Sequence, residues 1–230
     1  MKRAKVKVLV DGAMTLALLL LMPYELVGTL PHEIIGTVML VLFVVHHVLN
    51  RKWTASVFKG HYSAMRSVQT AVVLLMFLCM LGSGISGILL SKHLYVALPD
   101  VSFSSLSRRV HMLCAYWGFV LMSLHLGFHW RRMVTAMGRR FGEKSRVRTI
   151  VVRALGVCIA LYGCYAFQKR GVGDYLFLRT AFAFFDHSEP VIRFILDYMA
   201  VMGTFVFLGY YLARGLMKLD GKHAKRRSII

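Results

Sequence analysis

The chain has 230 residues, 57% of them hydrophobic, with a mean hydropathy of +0.61 and a formal net charge of +19. So many long apolar runs exclude an ordinary soluble domain. The basic residues fall between those runs and mostly on one side of them, which excludes nucleic-acid binding and is the signature of membrane topology.

In chain order, the first apolar segment runs from about Val6 to Leu30 behind the basic start Lys2, Arg3, Lys5 and Lys7. It is too long for a signal peptide and no small-residue cleavage site follows, so an uncleaved transmembrane helix is expected, with Pro23 and Glu25 interrupting its outer end. A second helix starts after Pro31 and ends near Asn50, Arg51, Lys52 and Trp53, residues that suit a headgroup interface. The third spans about Ser67 to Leu90 and closes on GSGISG, and the fourth about Arg109 to Trp130. A basic loop, RRMVTAMGRRFGEKSRVR, precedes the fifth at about Thr149 to Phe167. The sixth covers about Val191 to Ala213 and is followed by a basic tail.

Between the last two spans, Tyr175, Leu178, Phe182 and Phe185 recur at helical spacing, which predicts an interfacial amphipathic helix near residues 172–187. The expected fold is thus all-α, a polytopic membrane protein with six transmembrane helices. Residues 1–137 would form a four-helix transmembrane bundle, and residues 138–230 two further spans, the interfacial helix and the tail.

With the N-terminus in the cytoplasm, the inner segments hold four, four, eight and six Lys and Arg, 22 of the 29 in the chain. This asymmetry predicts a multi-pass cell-membrane protein with both termini cytoplasmic.

The chemistry concentrates in two of these helices. HEIIGTVMLVLFVVH places His32 and His46 14 positions apart, and HMLCAYWGFVLMSLH repeats the interval with His111 and His125. On an α-helix that interval is about 21 Å and nearly four turns, so each pair points to one side at two depths of a bilayer. Histidine inside a membrane segment is costly unless it faces protein and has a partner. Two parallel helices with matched pairs can hold two haems, one on His32 and His111 near the outer surface and one on His46 and His125 near the inner.

None of Cys79, Cys114, Cys158 and Cys164 belongs to a CxxC or CxxCH motif, so the haems would be non-covalent b-type. Bis-histidine ligation leaves no open position for oxygen chemistry, and such a haem carries electrons. The protein would then be an electron-transfer component rather than a complete enzyme. His47 follows His46 on another face, and His129 lies one turn beyond His125, so each remains an alternative inner ligand.

Arg108 and Arg109 at the outer rim, and Arg51, Arg131 and Arg132 at the inner, are candidates for haem propionates or are interface-snorkelling cations. Asp11, Glu25 and Glu33 are candidates for proton handling or for hydrogen bonds to a ligand imidazole, or are equally solvated ends of helices, and Asp197 is a similar case. Two readings of other classes compete: a metal-ion transporter relaying through the histidines, and a non-catalytic membrane anchor or assembly subunit. The apolar residues between the paired histidines weigh against the transporter.

The runs HEIIGTVMLVLFVVHHVLNRKW, SGISGILLS and RRVHMLCAYWGFVLMSLHLGFHW, with the later YLFLRTAFAFFD and FLGYYLARG, resemble the flavinylation-associated cytochrome family over nearly the whole chain. The resemblance implies a membrane haem protein that passes electrons to an extracytoplasmic FMN-bearing flavoprotein. It carries a ligand role onto His32, His46, His111 and His125, with His47 and His129 matching the same motifs. Membrane quinol or a cytoplasmic dehydrogenase would be the donor. No Gly-rich dinucleotide fingerprint is present, so NAD or FAD would reside on partners.

Overall fold

The structure, a computed structural model, describes residues 2–95, 104–138, 146–180 and 182–227. Arg139, Arg140 and Lys144 of the basic loop lie outside the described residues, as does the side chain of Arg132. The chain is all-helical and multi-pass. Among the described residues, five helices are long and apolar enough to cross a membrane.

Helix α1 (Lys2–Leu21) is shorter than the sequence predicts and is not among the five. Its first half carries Lys2, Arg3, Lys5, Lys7 and Asp11. The ten residues from there to Leu21 give only about 15 Å of uncharged helix. It stops at Leu21 because Pro23 bars the preceding residue from helical geometry and has no N–H to donate. A single turn, α2 (Tyr24–Val27), follows and ends at Gly28, whose φ of +97° only glycine adopts without strain.

Helix α3 (Thr29–Thr54) starts before Pro31, not after it. In the first turn an N–H has no intrahelical partner, so proline costs nothing there. α1 and α3 run antiparallel, as their contacts show. Lys7 Nζ donates to Asn50 Oδ1 at 2.7 Å, Asp11 meets His46, and Leu21 lies against Gly36. The apolar side of α1 (Val10, Met14, Ala17, Leu18) is buried there, together with Met39 and Phe43 of α3.

Helix α4 (Ala64–Leu90) starts before the predicted span and ends with it at Leu90, and helix α5 (Ser104–Gly138) exceeds its predicted span at both ends. Helix α6 (Arg146–Lys169) matches the fifth span closely. Helix α8 (Val191–Arg227) continues 14 residues past the predicted end, because the sequence beyond Ala213 is made largely of helix formers with no proline.

The predicted interfacial helix near 172–187 is a correction. Only α7 (Val172–Leu176) is helical. It ends in a paired closure: the Arg179 N–H donates to the Asp174 carbonyl at 2.8 Å and the Leu178 N–H to the Tyr175 carbonyl at 3.3 Å. Leu178 takes the left-handed conformation, φ +51°, that this closure needs. Phe182 and Phe185 therefore do not continue the helical face of Tyr175.

The chain forms two compact units, neither of them a continuous stretch. The first comprises residues 1–60, 78–117 and 172–198, the second residues 61–77, 118–171 and 199–230. In the first, Tyr116 stacks on Tyr175 at 4.6 Å and Tyr198 on Phe194 at 4.6 Å. In the second, Phe119, Ala166 and Val201 are wholly buried. Gly163 of α6 there lies directly against the Ala200 carbonyl and Thr204 of α8.

Candidate functional site

The first unit brings His32 and His111 together. His32 sits in the first turn of α3, directly after Pro31, and His111 two turns into α5. Their ring centroids are 6.1 Å apart with the planes at 67°. Both rings are half-buried.

The orientation of His111 is set by α4. Its Nδ1 lies 2.9 Å from the Ser83 carbonyl, which can only accept, so Nδ1 carries the proton and donates. The Ser86 hydroxyl, itself donating to the Gly82 carbonyl at 2.5 Å, offers a second acceptor at 3.3 Å. Nε2 is then the nitrogen with a lone pair to give. Gly87 makes this approach possible: a Cβ there would stand 3.2 Å from His111 Cε1 and 3.4 Å from Nδ1. Gly82 similarly leaves room for the Cys114 thiol, one turn along α5 from His111.

His32 is held differently. Tyr24 of α2 packs edge-on against its ring at 5.3 Å, the Leu21 backbone lies close to the imidazole, and its buried Nδ1 makes no hydrogen bond of good geometry. A buried imidazole nitrogen left bare is costly unless something else takes its lone pair or proton.

The pair was tested against the haem that the spacing implies. A metal–imidazole bond is about 2.0 Å, and with about 1.1 Å from nitrogen to ring centre, two imidazoles trans to one another on a metal lie about 6.2 Å centre to centre. The 6.1 Å between the two ring centres is a separation of that size. The protonated Nδ1 bound to a backbone carbonyl is the arrangement that presents Nε2 as a ligand. Among the described residues no group of three or more His, Cys, Asp or Glu could hold a metal ion by itself. Two histidines suit a group that brings its remaining ligands with it.

The inner histidines belong to different units. In the first unit, His46 Nδ1 contacts Asp11 Oδ1 at 2.7 Å, with the His46 side chain 26% and the Asp11 side chain 53% exposed. Asn50 Nδ2 donates to the His46 carbonyl at 3.0 Å and approaches its Nε2 at 3.3 Å. His47 turns its Nδ1 back to the Phe43 carbonyl at 3.0 Å and packs on the Phe43 ring at 4.3 Å. In the second unit, His125 and His129 meet edge to face at 4.7 Å, and Gln69 Nε2 lies 3.2 Å from His129 Nε2.

Of the candidate arginines, Arg108 places its guanidinium over Phe182 at 5.1 Å, and Arg109, Arg51 and Arg131 are exposed. Glu25 faces His187 at 3.6 Å. Asp197 is wholly buried in α8.

Glu33, a candidate partner of an imidazole by sequence, instead clamps the end of α4. Its carboxylate accepts from the Ser91 hydroxyl at 2.7 Å and from the N–H groups of Lys92, Leu94 and His93 at 2.8, 3.0 and 3.2 Å. Sequence reasoning missed Ser83 and Ser86. Their signal was available in GSGISG, where a serine pair three apart lies within one turn of Gly87.

No family model, curated protein or solved structure matches the chain.

Proposed function

We propose that this protein carries electrons across the membrane through b-type haem, one haem being held by His32 and His111. The observation that supports the reading is the His32–His111 pair itself: 6.1 Å between ring centres, with His111 Nδ1 tied to the Ser83 carbonyl. Bound between two imidazoles, haem supplies reversible one-electron transfer with no position left for oxygen.

The residues around the pair have definable work. α4 fixes the tautomer and rotation of His111 through Ser83 and Ser86, so its Nε2 need not reorient on binding. Gly87 keeps the edge of that ring clear. Tyr24 limits the rotation of His32 and covers it on one side. The Glu33 clamp ties the start of α3 to the end of α4, the two segments that carry His32 and the His111 acceptors.

A second haem is proposed on the inner histidines. That part rests on the repeated 14-residue interval and on the orientation of His46 by Asp11. Six spans, with α1 crossing beside α3, and both termini in the cytoplasm complete the reading, the orientation resting on the placement of 22 of the 29 Lys and Arg. The acceptor proposed is an extracytoplasmic flavoprotein, as the family resemblance implies, and the donor membrane quinol or a cytoplasmic dehydrogenase.

The test is the haem content of the purified protein by pyridine haemochrome. A b-type signal near two haems per chain is expected. No haem in a well-folded preparation from haem-supplemented cells would return the field to the transporter and the anchor.

A further inference from the structure

We propose that Cys79 of α4 and Cys114 of α5 are a redox-sensitive pair, closed to a disulfide by an alkyl hydroperoxide dissolved in the membrane and reopened by thiols. The inference concerns the packing of α4 on α5 and stands whether or not haem is bound.

The two thiols meet within the first unit. Cys79 and Cys114 share a side-chain hydrogen bond, and both are half-buried. The two backbones are close at this point. A Cβ at Gly82, one turn along α4 from Cys79, would stand 3.5 Å from the Cys114 Cβ and 3.8 Å from Val110 Cγ1. A disulfide spans a Cβ–Cβ separation of about 3.5–4.5 Å. The register is antiparallel, because Gly87, further along α4, lies against His111, which precedes Cys114 on α5. Cys79 therefore faces the part of α5 that carries Cys114, in agreement with the contact between the thiols.

The other two cysteines have no such arrangement. Cys158 and Cys164 are exposed, and their six positions on α6 separate them by about 9 Å along the helix axis, beyond the reach of a disulfide. They are the more accessible thiols but lack a partner, which makes them internal controls.

The setting selects the reagent. Thiols in apolar surroundings are poor targets for water-borne electrophiles. A hydroperoxide dissolved in the bilayer reaches them directly. In the first step it transfers an oxygen atom to one thiol, which becomes a sulfenic acid while the hydroperoxide becomes an alcohol. In the second, the neighbouring thiol attacks the sulfenic sulfur, the S–S bond forms and the oxygen leaves as water. Two thiols are oxidised and one hydroperoxide is reduced, and the product carries no charge. Because the second thiol is already in contact, it intercepts the sulfenic acid before more oxygen is added. Closure brings the sulfurs to about 2.05 Å and ties α4 to α5 one turn from His111, beside the Ser83 carbonyl that accepts from His111 Nδ1.

The experiment treats purified wild-type protein in lipid vesicles with cumene hydroperoxide. The protein is then denatured, alkylated with N-ethylmaleimide and mapped by mass spectrometry, with and without dithiothreitol before alkylation. Cys79 and Cys114 should lose maleimide labelling together, appear as one cross-linked pair of peptides, and recover their labelling with dithiothreitol. Cys158 and Cys164 should form no cross-link within the chain. In C79S and in C114S, the cysteine that remains of the pair should enter no intramolecular disulfide.

Unchanged labelling of the wild-type pair, or loss of one cysteine without the other, overturns the proposal. So does a cross-link to Cys158 or Cys164, or oxidation that dithiothreitol does not reverse. The wild-type map decides the matter without requiring either variant to fold. Haem content does not enter the measurement, so a haem-free preparation overturns the reading of function and leaves this test in force.

Discussion

Replacing Glu33 with alanine removes one side chain and four hydrogen bonds. The acceptor is charged, and its donors are one hydroxyl and three consecutive backbone N–H groups between Ser91 and Leu94. Hydrogen bonds to charged groups contribute about 1.5–3 kcal/mol each. Lys92, His93 and Leu94 are exposed, so their freed N–H groups are rehydrated and much of that sum is recovered. A net loss of about 3 kcal/mol follows, which is roughly a hundredfold in the equilibrium for local opening.

Hydrogen exchange read by mass spectrometry on peptides covering residues 91–95 measures this directly. Amides there should exchange roughly a hundred times faster in E33A, and at least about tenfold faster in E33Q, which keeps one acceptor oxygen but turns an NH2 toward the donors. Peptides from α6 provide an internal control and should not change. Unaltered exchange at 91–95 in E33A would refute the clamp and, with it, the claim that the end of α4 is held to the start of α3 by this carboxylate.

Two further predictions concern the backbone. Leu178 sits at φ +51°, so Leu178→Val should lower the thermal midpoint by an amount equivalent to about 1–2 kcal/mol, while Leu178→Gly should leave it unchanged or raise it, since relief of strain offsets the lost side chain. At Gly163 a Cβ would overlap the Ala200 carbonyl and Thr204, and backbone cannot yield as a flexible side chain does. Gly163→Val should therefore cost about 1–3 kcal/mol in thermal unfolding and weaken a cysteine cross-link engineered between α6 and α8.

The helices were legible because hydropathy and proline placement act locally. Pro23 ends α1 and Pro31 is accommodated in the first turn of α3 for reasons contained in the residues themselves, though the apolar pattern alone runs the first span past Pro23 and begins the second after Pro31. The meeting of His32 and His111 is the one that the matched intervals pointed to at the outer end; the same interval is not enough to bring His46 to His125, which belong to different units.

What could not be read was set by tertiary partners or by an unfavourable local choice. Tyr175, Leu178, Phe182 and Phe185 satisfy a helical period, yet the chain turns at Leu178, where a left-handed leucine stands in the place usually taken by glycine. The carboxylate of Glu33 looked like a neighbour for His32, but its acceptor strength is spent on residues 58 to 61 positions away. Asp11 was visible as a candidate, whereas its choice of His46 follows from the antiparallel register of α1 and α3. The first span was overestimated because its apolar run was counted across Pro23.

The central claim, that His32 and His111 hold one and the same haem, is tested most directly by dithionite-reduced minus oxidised spectra of H32A and H111A beside wild type. Both variants should lose the same b-type component and about half the haem, with the remaining component unchanged in position. Loss of different components in the two variants, or full haem content in both, would contradict the account.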